Sequence, residues 1–301
     1  MTARERLALD TSETAANSKP ASIERVLVVG AGTMGSGIAQ VIAEAGIPTT
    51  LMDADNGSLE RGLEGISSRW RRLVETGRRS PEDIANFRAN LSPGAIVDAA
   101  NADLVVEAII EKIGPKSALF QELATISAPR SIIASNTSSI SISTLGRASG
   151  RPDRMLGLHF FNPVPVLPLV EIVRGLETSD QTLATSLKFV AAIGKTPIVV
   201  NDSPGFVANR ILLPMINEAI FALQDGVAPA AAIDEVLKLG MSHPMGPLAL
   251  ADLIGLDICL DILETLHRDF GDDKYRPAPM LRRMVGAGKL GRKTGQGFFE
   301  Y

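Results

Sequence analysis

A histidine and a glutamate near the middle of the sequence form a pair that could move a proton. His159 ends an apolar run that leads to Asn162-Pro163, and Glu171 lies alone among apolar residues twelve positions further on. A carboxylate in such a run is costly to bury without a partner, and a chain that turns at Asn162-Pro163 would return Glu171 to His159. The carboxylate would then fix the imidazole tautomer and stabilise the imidazolium. Such a dyad suits proton removal from a secondary alcohol, although the same spacing equally fits a core histidine paired with a core glutamate.

A glycine motif near the start of the chain could bind a dinucleotide. Gly30-Ala31-Gly32-Thr33-Met34-Gly35 matches G-x-G-x-x-G, follows an apolar run and opens a helical stretch. The three glycines permit the tight turn, the approach of backbone to a pyrophosphate and the close packing of helix on strand. Asp53 ends the next predicted strand, where its carboxylate can bind ribose hydroxyls and repel a 2′-phosphate. The pattern predicts a dinucleotide site, and the position of Asp53 favours NAD over NADP. The alternative is a glycine-rich turn that binds no ligand.

Three further groups of polar residues could serve either a ligand or the fold. The run 135–139 follows a predicted strand, and its hydroxyls and amide could bind a ligand or cap the next helix. Asn209 could donate to a substrate carbonyl or cap a bend. Residues 60–79 hold six arginines against three glutamates, which fits a solvated helix surface or a cradle for the phosphates of a second ligand.

The elements that must position these residues alternate between strand and helix up to about residue 204. Helices separate apolar runs that predict strands over 25–29, 48–53, 104–110, 131–134, 155–161, 169–173 and 197–200. This alternation predicts an α/β fold with a doubly wound sheet. Only helical spacing recurs afterwards, over 206–226, 229–239, 247–270 and 279–286. We therefore predict a nucleotide-binding domain over residues 23–204 and an all-helical domain over residues 205–301.

The composition limits the classes of protein to which the chain can belong. Of 301 residues, 45% are hydrophobic and 21% are charged, which is typical of a globular protein. The net charge of −4 argues against nucleic acid as the main partner, and no apolar stretch approaches a membrane span of ~18–20 residues. The single cysteine, Cys259, excludes an internal disulfide and a thiolate zinc site. Residues 1–22 lack the apolar centre of a secretory signal and contain acids, so we expect a disordered tail on a cytoplasmic protein.

Several stretches taken together resemble the L-3-hydroxyacyl-CoA dehydrogenases, and the chain has the size of the bacterial members that act on 3-hydroxybutyryl-CoA. The resemblance covers about residue 24 to the end. The matching stretches are residues 29–40, 104–108, 134–139, 157–163, 202–206, 245–247 and 291–295.

The resemblance implies specific roles for individual residues. It implies a Rossmann-type domain followed by a helical domain that forms a homodimer, an acyl-CoA substrate, NAD as cofactor and no metal. The implied catalytic residues are His159, Glu171, Ser138 and Asn209. The implied cofactor contacts are Gly30, Gly32, Thr33, Met34, Gly35, Asp53, Glu111, Lys116, Ser138, Asn162 and Lys293. The family's CoA contacts lie near residues 60–79, where this sequence matches poorly.

Two alternatives to an acyl-CoA dehydrogenase remain at this point. One is a related dehydrogenase of a free hydroxy acid, of the L-gulonate or carnitine type, which shares the nucleotide loop and the His–Glu pair. The run Phe160 to Val164 and the arginine-rich helix favour the acyl-CoA branch, because a free acid needs no phosphate cradle. The other is a relative without turnover, as in some lens crystallins, against which the four filled catalytic positions argue.

Overall fold

The structure is a computed structural model that describes residues 22–301. The tail predicted over residues 1–22 therefore lies, except for Ser22, outside the described residues. None of the helices within 22–301 has the length and apolar character needed to span a membrane. The same residues hold no group of three His, Cys, Asp or Glu side chains arranged for a metal ion.

Within the described residues, eight strands form one sheet in the order β3-β2-β1-β4-β5-β6-β7-β8. Every neighbouring pair is parallel except β6 and β7, which are antiparallel. This arrangement confirms the predicted doubly wound α/β sheet. The strands are β1 (Val26–Val29), β2 (Thr49–Met52), β3 (Leu91–Pro93), β4 (Leu104–Glu107), β5 (Ile132–Ser135), β6 (Met155–Phe160), β7 (Leu169–Arg174) and β8 (Thr196–Asn201).

Helices cover both faces of the sheet, as buried parallel strands require. Alternate residues of β1 point to opposite sides: Val26 and Val28 join one apolar cluster, Leu27 and Val29 the other. The first cluster contains residues of α1, α2, α3 and α6, and the second contains residues of α4 and α5. These helices are α1 (Thr33–Glu44), α2 (Asn56–Glu75), α3 (Pro81–Ala89), α4 (Ile113–Ile126), α5 (Ile142–Ala148) and α6 (Asp180–Ala192).

Beyond Asn201, the described part of the chain adds no strand to the sheet and packs helices around a core of its own. Leu213, Ile216, Leu248 and Leu263 are buried at its centre together with Cys259, which is therefore a small buried apolar residue, as expected. The helices are α7 (Ala208–Gln224), α8 (Ala230–Gly240), α9 (Pro247–Ile254), α10 (Leu256–Phe270) and α11 (Pro279–Gly286).

Four details of the predicted elements were wrong. The helix predicted over 247–270 is two helices, because Gly255 has a φ of 106°, which is not helical, and it separates α9 from α10. The strand predicted over 104–110 ends at Glu107. Strand β3 and helix α5 were missed. Strand β3 has three residues, contains Pro93 and pairs only with β2, so its apolar signal is weak.

Candidate active site

His159 and Glu171 face each other across β6 and β7, the one antiparallel pair of neighbouring strands within residues 22–301. The register of β6 and β7 places the two residues directly opposite, and residues so paired point to the same side of a sheet. Nδ1 of His159 lies 2.8 Å from Oε2 of Glu171, and both side chains are buried. The expected return of the chain after Asn162-Pro163 thus occurs as a connection between two antiparallel strands.

The second oxygen of Glu171 is held by the helical domain. Oε1 accepts hydrogen bonds from the backbone N–H of Val207, at 3.2 Å, and of Ala208, at 3.0 Å, where α7 begins. Burial alone would raise the pKa of Glu171, but the bonds to His159 and to these two amides outweigh it and hold the pKa below its ordinary value. Glu171 is therefore ionised, and it also ties the sheet to the first helix of the second domain.

The ionised carboxylate determines which imidazole nitrogen is available for chemistry. Because Glu171 can only accept a hydrogen bond, Nδ1 of His159 must donate to it, which leaves Nε2 as the acceptor of the neutral ring. Nε2 lies 3.2 Å from Oγ of Ser138. The side-chain amide of Asn209 donates to the backbone carbonyl of Ser138 at 3.3 Å. The structure thus brings His159, Glu171, Ser138 and Asn209 into one connected group.

Two phenylalanine rings enclose the imidazole. Phe161 and Phe206 lie 4.7 Å and 5.6 Å from His159 between ring centroids. Phe206 has a φ of 51°, a conformation that costs free energy for a bulky residue and is typical of functional sites. Sequence reasoning did not single out Phe206, although it follows the Pro204-Gly205 pair at the predicted boundary between the two domains.

The glycine motif has open space at Gly32, whereas Gly30 and Gly35 are packed tightly against neighbouring backbone. A Cβ on Gly30 would lie 2.5 Å from the carbonyl oxygen of Ala108, and one on Gly35 would lie 1.7 Å from that of Gly30. A Cβ on Gly32 would have no atom within 4 Å. Helix α1 begins at Thr33 with no side-chain cap and no acid in its first turn, so its amides remain available to an anion. The loop therefore fits a bound pyrophosphate.

Asp53 follows β2 and is hydrogen-bonded to the glycine loop. Its carboxylate accepts from the backbone N–H of Ala31, at 2.8 Å, and of Asp55, at 3.0 Å. Asp55 in turn caps α2 by accepting from the backbone of Ser58 and lies 3.4 Å from Arg61. Two carboxylates thus follow β2, where the ribose of a dinucleotide is expected.

Glu111 organises the turn that carries Ser138. It accepts hydrogen bonds from the hydroxyl of Thr137 and from the backbone N–H of Ser138, at 2.9 Å, and of Ser139, at 3.2 Å. Lys116 is fully buried and lies 3.2 Å from Oε2 of Glu111. Burial alone would raise the pKa of Glu111, but Lys116 and the hydrogen bonds from the turn lower it below 4.5.

We expect this lowered pKa to appear in the acid stability of the protein. The carboxyl group of Glu111 has a lower pKa in the folded protein than in the unfolded chain. Its ionised form therefore stabilises the fold above pH 4.5, and this stabilisation is lost as the pH falls through the pKa of the folded protein. In Glu111→Gln, the free energy of unfolding should depend less steeply on pH than in the unsubstituted protein as the pH falls below 4.5. Urea unfolding at several pH values measures this difference, and parallel curves would contradict it.

Three of the residues that the resemblance gives as cofactor contacts lie apart from the group around His159 or at its edge. Lys293 forms an ion pair with Asp257 at 2.5 Å, at the start of α10. Asn162 and Thr33 are exposed. None of these three is hydrogen-bonded to His159, Glu171 or Ser138 among the residues that the structure describes.

A cleft of about 510 Å³ separates the glycine loop from α10. Met34, Glu111, Lys116 and Ser138 line one side, while α10 lines the other with Ile258, Asp261, Ile262, Glu264, Thr265 and Arg268. The cleft thus lies between the nucleotide loop, the serine next to His159 and the helical domain.

The arginines of residues 60–79 are partly committed to the fold. Arg71 pairs with Glu64 at 2.6 Å, and Nε of Arg69 donates to Gln40. Arg72 and Arg78 are exposed.

Two polar residues of the run 135–139, which the sequence left open as ligand contacts or helix caps, instead hold the site together. Thr137 donates to Glu111, and the side chain of Asn136 accepts from the backbone N–H of Phe160 at 2.9 Å, which joins the end of β5 to β6. Both lie in the polar run after β5, but nothing in their types distinguishes them from cap residues.

Two family models match nearly all of the described chain. The model described as "3-hydroxyacyl-CoA dehydrogenase, NAD binding domain" matches residues 25–203, and "3-hydroxyacyl-CoA dehydrogenase, C-terminal domain" matches residues 205–301. The first description agrees with the glycine loop and Asp53.

Similar proteins and structures carry consistent names. The chain is 49% identical over 280 residues to a probable 3-hydroxybutyryl-CoA dehydrogenase of Bacillus subtilis, which covers 93% of this chain and 98% of that protein. It is 51% identical to a probable 3-hydroxybutyryl-CoA dehydrogenase of Deinococcus radiodurans over 91% of this chain and 99% of that protein. The crystal structure of (S)-3-hydroxybutyryl-CoA dehydrogenase from Ralstonia eutropha superposes with a TM-score of 0.90 at 47% identity, covering 93% and 99% of the two chains.

Proposed function

The chain belongs to the 3-hydroxyacyl-CoA dehydrogenase family, and from this premise we propose that His159 is the general base in its oxidation of a short-chain L-3-hydroxyacyl-CoA to the 3-oxoacyl-CoA. The reaction is a reversible NAD-dependent oxidation. The observation that carries the proposal is the pairing of Nδ1 of His159 with the ionised Glu171, which leaves Nε2 free to accept a proton.

The two residues of the dyad divide the proton transfer between them. When bound, NAD supplies the acceptor for the hydride that leaves C3 of the substrate. Nε2 of His159 takes the proton of the 3-hydroxyl, and the carboxylate of Glu171 stabilises the imidazolium that results. The imidazole packs against Phe161 and Phe206 and is buried, as is Glu171, and this low-dielectric setting strengthens the attraction between imidazolium and carboxylate.

Ser138 and Asn209 are proposed to act on oxygen atoms of the substrate. The hydroxyl of Ser138 already lies within hydrogen-bond distance of Nε2, so a substrate hydroxyl that replaces or joins it would be aligned with the base. Asn209 lies in the first turn of α7 and donates to the backbone carbonyl of Ser138. Preorganised donors of this kind stabilise charge where it develops in the transition state.

The glycine loop, the start of α1 and Asp53 are the residues that would hold the cofactor. Gly30, Gly32 and Gly35 shape the loop, Thr33 and Met34 begin the helix, and the open space at Gly32 leaves the loop backbone accessible. We also propose that Glu111, Asn162 and Lys293 contact the cofactor. Lys116 is buried between Glu107 and Glu111, so we propose that it acts chiefly through Glu111.

We expect Asp53→Asn to weaken the preference for NADH over NADPH. Asparagine retains an acceptor for the N–H of Ala31 but removes the charge that repels a 2′-phosphate. The ratio of kcat/KM for the two cofactors should fall by about tenfold, equivalent to about 1.4 kcal/mol. Asp55→Asn is the matched control, because Asp55 caps α2 and lies near Arg61, and its ratio should change less. An unchanged ratio in Asp53→Asn would remove Asp53 from cofactor selection.

The domain roles and the assembly are also proposals. We propose that residues 23–204 bind NAD and that residues 205–301 bind substrate and form a homodimer in the cytoplasm. Exposed apolar residues on α7 and α8, namely Ile211, Val236 and Leu239, support a partner surface on the helical domain. Sedimentation analysis of the protein tests this, and a monomer at micromolar concentration would contradict it.

The choice of substrate is tested with a series of 3-oxoacyl-CoA esters. We expect kcat/KM with NADH to be highest for acetoacetyl-CoA and to fall as the chain lengthens, with steps of ~1–3 kcal/mol at most per methylene. Free CoA should inhibit competitively against the ester. A maximum at a long chain would overturn the short-chain assignment, and turnover of the free acid without inhibition by CoA would favour the hydroxy-acid branch.

A further inference from the structure

A second buried ion network lies behind the proposed active site. Glu107 ends β4 and is fully buried. Its carboxylate accepts from Oγ of Ser135 at 2.6 Å, from the backbone N–H of Ile109 at 2.7 Å and from Nζ of Lys116 at 2.5 Å. Glu107 is not among the residues that line the cleft, so no ligand there touches it.

Stability of the sheet does not account for a charge at this position. Strand β4 is paired along its length with β1 and β5. A buried ion pair is often no more stabilising than apolar residues of similar volume. The three bonds to Glu107 therefore suggest a role in placing the groups that make them.

The contacts of Glu107 lead to the catalytic group in four steps. Lys116 links Glu107 to Oε2 of Glu111 at 3.2 Å. The other oxygen of Glu111 accepts from the backbone N–H of Ser138, and Oγ of Ser138 lies 3.2 Å from Nε2 of His159.

We propose that Glu107 is a positioning residue for the active site: it holds Lys116 between two carboxylates, and it thereby fixes Glu111 and the turn that carries Ser138. Lys116 has a flexible four-carbon stem and is shared by Glu107 and Glu111. Without the charge of Glu107, the ammonium moves toward Glu111 and draws that carboxylate away from the backbone of Ser138. A displacement of a catalytic group by about 1 Å, caused by a substitution far from the reacting atoms, can lower a rate by about 10²-fold.

A double-mutant cycle of Glu107→Gln and Glu111→Gln tests this proposal. Glu107→Gln should lower kcat/KM for acetoacetyl-CoA by about 10–100-fold, since glutamine has the same shape but only weakly holds an ammonium. In the Glu111→Gln background, the same change should lower kcat/KM by no more than about twofold, because the path through Glu111 is already broken. A similar lack of additivity is expected in the affinity for NADH, measured by fluorescence titration without turnover.

Asp252→Asn is the matched control for a general loss of stability. Asp252 is a buried carboxylate of the helical domain that accepts from the backbone N–H of Phe298 and Phe299. Its effect and that of Glu111→Gln should multiply to within about twofold. If Glu107→Gln does not fold, Ser135→Ala removes one bond to the same carboxylate. Its smaller loss of activity should also vanish in the Glu111→Gln background.

Two outcomes would overturn the positioning role. One is a Glu107→Gln enzyme with unaltered kcat/KM and NADH affinity, and the other is a set of losses that multiply with those of Glu111→Gln. The proposal rests on the proposed function for the activity readout only. A failure of that function appears as absent turnover in the unsubstituted protein, in which case the cycle in NADH affinity still decides the role of Glu107.

Discussion

Replacing His159 with glutamine is expected to lower kcat for acetoacetyl-CoA reduction by about 10²–10⁴-fold, the usual contribution of a general acid or base. Nε2 of His159 is the ring nitrogen that its carboxylate partner leaves free. In the reductive direction the same atom returns the proton to the forming hydroxyl. Stopped-flow measurement of NADH consumption separates this step from product release.

The affinity for NADH should remain near the unsubstituted value in this variant, because the glycine loop and Asp53 do not depend on the imidazole. His267→Gln is the matched control: His267 lies on α10 and interacts with Asp273 at 3.2 Å, and its kcat should be unchanged. If His159→Gln retained turnover within about tenfold of the unsubstituted enzyme, the residue would have no role as the base.

Glu171→Gln is the second change with a large expected effect. The amide can donate to Nδ1 of His159, which favours the tautomer with the proton on Nε2, where it cannot accept another from the substrate. Loss of the carboxylate also removes the stabilisation of the imidazolium. We expect kcat to fall by about 10³–10⁴-fold, as when the carboxylate partner of a catalytic histidine is replaced by its amide.

The same variant separates the chemical role of Glu171 from its contact with α7. Glutamine retains an oxygen that can accept from the N–H of Val207 and Ala208, so the folded structure should persist, as circular dichroism can show. Glu171→Ala removes both contacts and should in addition lower the melting temperature. Equal melting temperatures for the two variants would show that the contact with α7 adds no stability.

The dyad was the part of the site most accessible from the sequence, because one acid in an apolar strand calls for a partner. The same signal was present at Glu107, the last residue of an apolar strand, but its partner Lys116 lies nine positions later, on a helix. A lysine at the start of a helix gives no sign that it is buried. The sequence therefore predicted one buried ion pair and missed the other.

The fold was largely predictable because apolar runs and glycines mark the strands and turns. The break at Gly255 was not, since the apolar pattern continues through it from α9 to α10. The helix that begins after this break, α10, supplies one wall of the cleft. Contacts that join distant loops, such as Asn136 with Phe160, depend on the order of strands in the sheet and have no local signal.

The most direct test of the central claim is NADH oxidation with acetoacetyl-CoA, beside free acetoacetate and beside NADPH, followed through the loss of reduced-cofactor absorbance. Turnover with NADH and the CoA ester, and little with either alternative, is the predicted result. This result would support the proposed reaction, the need for a CoA ester and the preference for NADH at once. Equal turnover of the free acid, or a preference for NADPH, would contradict the account.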